Sequence, residues 1–278
     1  MTDAPAGSVL HFSPTETARF GLRVFRGAVA TIDAAALADE IERERIDVAI
    51  LRVPAREIGS LHTLSQHGFA PIVADTLVFY DIDLGTRHPP AGADTSVRLR
   101  AATPDDADLL ARMARTIFAD YVSHYHANPL FARDQTLDGY AEWAARHVAA
   151  DDGSAAWLVE RAGELAGFSC YRIDPAGGGS AIGVLNGILP AARGRGTYGA
   201  MLRAMLDAFA EIRMARFEIA TQVHNLAVQR VWTREGLSLQ GASNTVHINA
   251  LREFGRDKPE AENVSSEQRV GARKFGET

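Results

Sequence analysis

Between Ile188 and Gly199 the chain reads Ile-Leu-Pro-Ala-Ala-Arg-Gly-Arg-Gly-Thr-Tyr-Gly. An apolar strand-like run ends at Pro190, and a helix-forming run follows at once. The first turn of a helix has backbone N–H groups with no partner inside the helix. Glycines let the preceding loop bend so that such groups converge on one cluster of oxyanions. Arg193 and Arg195 add positive charge, while Gly194, Gly196, Thr197, Tyr198 and Gly199 carry the backbone of the cradle. The expected ligand of this segment is a diphosphate.

A second cluster lies upstream: Tyr121-Val122-Ser123-His124-Tyr125-His126-Ala127-Asn128-Pro129. A histidine near its free pKa is a suitable proton acceptor. His124 and Tyr125 are the leading candidates for chemistry, with Tyr121 and His126 as candidate substrate contacts. The competing reading is surface His and Tyr, or hydrogen bonds that close the loop. A metal site is the poorer reading, because the stretch has neither Cys nor a convergent carboxylate. Glu218, on a strand, is a rival base; otherwise it is an exposed strand position. Asn186 and His247 are further acceptor-pocket candidates, or else satisfied polar residues at a sheet edge. Cys170 lies in Gly167-Phe168-Ser169-Cys170-Tyr171, which reads as a strand, where a buried inert thiol is the commoner outcome.

These groups need elements to hold them. Val97–Arg100 alternates as a short strand, and Thr103-Pro104-Asp105-Asp106 opens a helix with a cap, a first-turn proline and acids at its positive end. A second helix is expected over 137–149. A hairpin turns at Ala162-Gly163-Glu164, and a third strand spans 181–189. A long helix over 198–213, a strand over 215–223, a helix over 226–235 and a final pair of short strands complete the run. Antiparallel strands followed by β-α-β-α-β predict an α+β domain with a mixed central sheet flanked by helices. Residues 86–96, rich in proline and small polar residues, read as a linker, and the polar 252–278 as a flexible or partner-dependent tail. Before the linker, a strand over 47–53, a helical stretch over 56–67, Gly68 and an extended run over 71–82 echo the strand, helix, Gly236 and extended run near the end.

Gly194-x-Gly196-x-x-Gly199 also matches the dinucleotide fingerprint, with Glu218 about twenty residues on. That fingerprint belongs after the first strand of a parallel unit, whereas an antiparallel meander precedes it here. A Walker loop is excluded because Gly-Lys-Ser/Thr is absent. The segment instead resembles motif A of the GNAT acyltransferases, Arg/Gln-x-x-Gly-x-Gly/Ala after a strand. Arg193-Gly194-Arg195-Gly196 fits its first four positions, and Tyr198 stands where the last small residue belongs. Asn225 to Trp232 resembles the family's N-x-x-A-x-x-x-Tyr helix, with Val228 at the alanine and Trp232 at the tyrosine. Thr221-Gln222-Val223-His224-Asn225, Gly139–Ala144, Phe20-Gly21 and Leu64–Phe69 give a closer resemblance to the dTDP-fucosamine N-acetyltransferases.

The resemblance implies a GNAT fold over residues 97–251, preceded over 1–85 by an incomplete GNAT-like half-domain. It implies acetyl transfer from acetyl-CoA to a primary amine, with an amino sugar, nucleotide-linked or free, as acceptor. An amino acid, polyamine or antibiotic amine is the alternative acceptor, and a non-catalytic acyl-CoA-binding protein the alternative class. Contacts to CoA are implied for Arg193–Gly199, Ile188, Leu189, Asn225 and Trp232. Ile188 maps to the backbone N–H that meets the thioester oxyanion, beside a strand-splaying bulge. A tryptophan is no practical proton donor, so Trp232 either packs against CoA or fills a helix core, and the acid for the leaving thiolate is unassigned.

Composition sets the outer limits. The 278 residues are 46% hydrophobic and 23% charged with a net charge of −6, an ordinary globular balance that disfavours a general nucleic-acid binder. One cysteine excludes an internal disulfide framework. No apolar run is long enough to cross a membrane, and the first residues lack the features of a signal peptide. The expectation is a cytoplasmic protein with a small-molecule acceptor, no resident metal, no nucleic-acid or membrane partner, and homodimerisation left open.

Overall fold

A computed structural model describes residues 8–87, 94, 96–149, 152–174 and 179–250. Most of the expected linker, the turn at 176–178 and the tail at 252–278 lie outside the described residues. The first segment contains β1 (Leu10–Phe12), α1 (Pro14–Phe20), β2 (Val24–Ala28), α2 (Ala34–Arg43) and β3 (Val48–Pro54). A 3-10 stretch, Ala55–Leu61, runs into α3 (His62–Gln66), and β4 (Ile72–Asp83) ends the segment. The second contains β5 (Val97–Ala101), α4 (Ala107–Ile117), α5 (Arg133–Arg146), β6 (Ser154–Arg161), β7 (Glu164–Asp174) and β8 (Ser180–Ile188). It closes with α6 (Thr197–Glu211), β9 (Arg216–Gln222), α7 (Leu226–Arg234) and β10 (Ser238–Asn249).

Local chemistry accounts for these elements. Thr103 and Asp106 form a reciprocal capping box ahead of α4. The β6–β7 hairpin turns on Ala162 and Gly163, both left-handed with φ of 53° and 81°, as a two-residue turn between twisted strands requires. Arg203 of α6 meets the buried Glu235, just past α7, at 2.7 Å and clamps the two helices together.

All ten strands among the described residues join one sheet, ordered β1-β2-β3-β10-β4-β9-β8-β7-β6-β5. The last strand is one element of 12 residues, not the expected pair of short strands. It does not return to β9. It lies antiparallel between β3 and β4, while β4 lies antiparallel along β9. The two segments have thus exchanged strands. The order β2-α2-β3-α3-β4 also repeats β8-α6-β9-α7-β10, with a parallel β2–β3 pair matching a parallel β8–β9 pair.

Helices cover both faces. Met201, Leu202, Met205, Leu206 and Phe209 of α6 pack with Trp232 of α7 on one face. Leu110, Met113, Ala114 and Ile117 of α4 pack with Ala144 of α5 against Leu158, Phe168, Cys170 and Leu185 on the other. Burial pushes the Cys170 thiol pKa up, so it is a packing residue rather than a nucleophile. Val246 and Ile248 of β10 belong to the core of the first segment, beside Leu37, Leu51 and Leu64. Among the described residues no helix is long and apolar enough to cross a membrane.

The exchange has a direct consequence. Expressed without residues 1–96, the remainder leaves β9 and β10 without their β4 and β3 partners and exposes sheet edges. The expected outcome is insoluble protein, with co-expression of the two fragments restoring a soluble complex in size-exclusion chromatography.

Candidate active site

The site begins where β8 and β9 part. Their parallel pairing runs only from Ser180 opposite Arg216 to Gly183 opposite Ile219. At the same point β8 carries a bulge against β7: Tyr171 faces Gly183 and Cys170 faces Leu185, so Val184 has no opposite number. A bulge bends a strand and frees a residue from its ladder. Beyond it β8 stays with β7 and β9 stays with β4, and a gap opens between them. The expected bulge near Ile188 is therefore four residues early, at Val184. Ile188 itself pairs with Gly167, and its carbonyl accepts a bond from Arg193.

The arginine–glycine loop forms one mouth of this gap. Gly194 and Gly196 are left-handed, with φ of 75° and 73°, and Gly196 caps α6. A Cβ at either would meet nothing within 4 Å, so their backbone faces open space. The first-turn amides of α6, from Thr197 through Gly199, are free to bind an anion there.

The loop's side chains do different work from that expected. Arg193 spends its guanidinium on the carbonyls of Ile188 and Ile117, each at 3.0 Å. It ties the loop to β8 and to the end of α4 rather than facing a ligand. Thr197 is buried; its hydroxyl donates to Ala192 O at 2.8 Å and accepts from Arg161 at 2.8 Å. Arg161 also grips Arg195 O at 2.7 Å, and the Arg195 side chain stays exposed. The Leu189 amide donates to Ala166 O at 2.8 Å, fixing the strand end. Asn225 precedes α7 and donates to Thr221 Oγ1 at 3.0 Å, bracing the wall of the gap. Trp232 is 1% exposed and edge-on to Tyr80, with its indole N–H on Tyr198 Oη at 3.1 Å. Of its two readings, the helix core is the one observed.

On the opposite face the gap opens into a cavity of about 430 Å³. Gly183, Val184, Leu185, Ala220, Thr221 and Gln222 line its inner end. Tyr121 reaches across from the loop after α4 and donates to Gln222 Oε1. The outer end is built largely by the first segment, from Glu16, Arg19, Arg26 and Arg52, with Arg146, Tyr140 and Trp143 from α5. Sequence reasoning missed these contributors: it assigns no element to residues 8–46, which hold Glu16, Arg19 and Arg26, and the strand and helix it expects for Arg52, Tyr140, Trp143 and Arg146 do not show which cavity they face. The signal was present in Ser13-Pro14-Thr15-Glu16, a cap, a first-turn proline and a capping-box acid that open α1. In the structure Ser13 Oγ donates to the Glu16 carboxylate at 2.7 Å rather than accepting from a helix amide.

The histidine loop is tied into this outer end. Asn128 accepts from Leu130 N with its oxygen, so its Nδ2 donates to His247 Nδ1 at 3.2 Å. His247 must then donate from Nε2 to His124 Nδ1, at 2.9 Å. That consumes the lone pair of His124 and leaves its Nε2–H facing Arg26 Nη2 at 3.4 Å. Both imidazoles are held neutral. Burial, then the neighbouring His247, Arg26 and Arg52, push the His124 pKa well down. Burial, Arg26 and Arg52 take that of His247 to about 3. His124 is therefore a hydrogen-bond donor to the cavity and not the expected base.

The other candidates also move. Tyr125 donates to the buried Glu16, and its phenol pKa is raised, mainly by burial. His126 closes its own 3-10 turn through Ser123 and does not line the cavity. His247 is fully buried behind His124. Asn186 accepts from Ser169 Oγ at 2.5 Å, and Glu218 sits opposite Ile182, where β8 and β9 are still paired; neither lines the cavity.

A parallel strand pair parts here, with open helix-start amides at one mouth and a polar cavity at the other. In comparison with known proteins, the Acetyltransferase (GNAT) domain family matches residues 96–238, just over half of the chain. The chain belongs to the GNAT acetyltransferases. It is an acyltransferase, and its α+β sheet is the GNAT fold. The spore coat polysaccharide biosynthesis protein SpsD of Bacillus subtilis is 24% identical over 217 residues, covering 74% of this chain and 68% of SpsD. A GNAT structure from Sphaerobacter thermophilus superposes with a TM-score of 0.50 at 16% identity, over 72% of this chain and 59% of that one. A tandem GNAT protein from the clavulanic acid biosynthesis pathway gives a TM-score of 0.52 at 15% identity, covering 82% of this chain and 75% of that one.

Two measurements test this geometry. Gly196→Asp forces an L-residue into a left-handed position and sets a carboxylate against the cradle. Calorimetric affinity for CoA is expected to fall by roughly a hundredfold, about 3 kcal/mol. The histidine pair sets a pH dependence. Its folded pKa values lie below the unfolded value of about 6.5, so below that pH the unfolded chain binds more protons and stability falls. Melting temperature is expected to drop between about pH 7 and about pH 5, and the double variant His124→Asn, His247→Gln to flatten that slope.

Proposed function

We propose that this GNAT enzyme transfers an acetyl group from acetyl-CoA to the primary amine of an amino sugar carried on a nucleoside diphosphate. The observation that carries the reading is the polarity of the cavity. Its inner end, at the β8–β9 gap, is neutral and rich in hydroxyl and amide groups: Tyr121, Thr221 and Gln222. Its outer end gathers Arg19, Arg26, Arg52 and Arg146; Arg26 faces Glu16 at 3.5 Å, Arg52 faces Asp75 at 3.8 Å, and Arg19 pairs with Glu142 at 2.6 Å. Arg26 Nη2 and the Nε2–H of His124 lie 3.4 Å apart, two donors that an anionic oxygen beside the pair would accept from together. Trp143, 40% exposed at the rim, offers a face for a base to stack on. A sugar amine at the inner end and a diphosphate at the outer end match this gradient. The similarity to a polysaccharide biosynthesis protein points the same way.

In this reading the CoA diphosphate rests on the amides from Gly194 to Gly199, and the pantetheine arm enters the gap. The thioester carbonyl meets the N–H groups beside the Val184 bulge, which are aimed at the developing oxyanion. The amine attacks the carbonyl carbon directly. Holding both substrates on opposite mouths of one gap supplies the attack geometry, a major part of the acceleration. Among the described residues His124 is the one imidazole lining the cavity, and its lone pair is taken by His247, so the amine loses its proton to water in the cavity.

The first segment has a place in the proposal as a degenerate relative of the second. Where β8–α6 carries arginines and glycines, the equivalent β2–α2 connection ends in Asp33, which caps α2 by accepting from Ala36 N at 3.0 Å. Asp39 and Glu40 line the adjoining depression and repel a diphosphate. Its contribution is the outer end of the acceptor cavity.

The test is a panel of amines with acetyl-CoA. Nucleotide-linked amino sugars should be acetylated far faster than the free sugars, amino acids, polyamines or aminoglycosides. Arg26→Gln should raise KM for a nucleotide-linked substrate about tenfold or more and leave KM for the free amino sugar unchanged. Equal turnover of free and nucleotide-linked sugars would contradict the acceptor assignment.

A further inference from the structure

Two of the three places where this chain departs from the GNAT pattern touch one another. Tyr198 replaces a small residue in the first turn of α6, Trp232 replaces a tyrosine on α7, and the indole N–H of Trp232 donates to Tyr198 Oη at 3.1 Å. Trp232 is locked in place, fully buried and packed edge-on against Tyr80 at 5.3 Å. It belongs to the core that contains Ile188 and Ile219, the residues beneath the two walls of the β8–β9 gap, and Tyr198 packs against the same cluster. The phenol thus lies in the core beside the anion cradle, where Tyr198 is itself a backbone member, and within electrostatic reach of Tyr121 in the cavity wall.

The hydrogen bonds then distinguish two phenols. Tyr121, within electrostatic reach of Tyr198, already donates its proton to Gln222 Oε1. Tyr198 accepts from Trp232, and its own O–H has no acceptor among the described residues. A buried hydroxyl that accepts one fixed bond and donates none is an oriented, uncommitted proton donor.

We propose that Tyr198 is the catalytic acid for the leaving CoA thiolate and that Trp232 is its positioning residue. The proposal rests on the acetyl-CoA reading above. As the amine nitrogen forms its bond to the acetyl carbon, the carbon–sulfur bond breaks with its electron pair on sulfur. The Tyr198 hydroxyl proton passes to that sulfur, giving CoA thiol. The tyrosinate is stabilised by the Trp232 N–H and recovers a proton from water, matching the one the amine released. The Trp232 bond lowers the phenol pKa against the rise that burial imposes.

The test reads the sulfur directly and needs no acceptor. Free CoA is titrated with pH in the presence of the full-length protein, following thiolate ultraviolet absorbance. A phenol donating to sulfur favours the thiolate, so the bound thiol should ionise about one pH unit lower than free CoA, a tenfold gain in thiolate fraction. Tyr198→Phe should abolish that shift while CoA affinity, by calorimetry, stays within a few-fold. Trp232→Phe, which keeps the ring and loses the donor, should diminish the shift. In turnover, Tyr198→Phe should lower kcat by roughly a hundredfold with KM for acetyl-CoA unchanged. A thiol shift undiminished in Tyr198→Phe overturns the proposal. Wild-type protein that fails to bind CoA overturns the acetyl-CoA reading itself, and is told apart by the calorimetry.

Discussion

The pairing of β8 with β9 lasts from Ser180 to Gly183 and then stops. Almost everything else in the molecule depends on that interruption. Buried strands that part leave N–H and C=O groups without partners, at a cost that a fold accepts only if something else stabilises each strand. Here β8 keeps β7 and β9 keeps β4, so each wall of the gap has a full ladder on its outer side. The polar groups that face inward are left for ligands. The Val184 bulge, the loop at Arg193–Gly199 and the cavity under Tyr121 all sit around this one break.

The strand exchange explains how the break is held open. β4 belongs to the first segment in sequence but supports β9, the wall of the second segment's gap. β10 belongs to the second but completes the core of the first, through Val246 and Ile248. Neither segment can relax its half of the sheet alone. The same exchange brings α1, β2 and β3 beside the histidine loop, where Glu16, Arg26 and Arg52 meet His124 and Tyr125. The first segment is thereby part of the site and not an appendage.

The sequence made the arginine–glycine loop, the helix after it and the order of strands from β5 to β9 legible, because periodicity, caps and left-handed glycines are local features. The family resemblance implied a bulge at Ile188, and the structure has it four residues earlier at Val184, because register depends on the facing strand. Partner choice for β10 was not legible: Ser238–Asn249 alternates no differently beside β4 than it would beside β9. The roles of Arg193 and His124 failed for a related reason. An arginine reads as a ligand contact until its carbonyl partners at Ile188 and Ile117 are known. A histidine reads as a base until Asn128 and His247 fix which nitrogen holds the proton. Trp232 and Tyr198 each read as an isolated departure, and only the fold shows that they bond one another.

The most direct test of the account is a crystal structure of the full chain with CoA. The account predicts the pyrophosphate on the backbone amides from Gly194 to Gly199, and the thiol inside the gap between Val184 and Thr221, near the Tyr198 hydroxyl. A pyrophosphate bound at the outer arginines, or a pantetheine arm lying outside the β8–β9 gap, would contradict it.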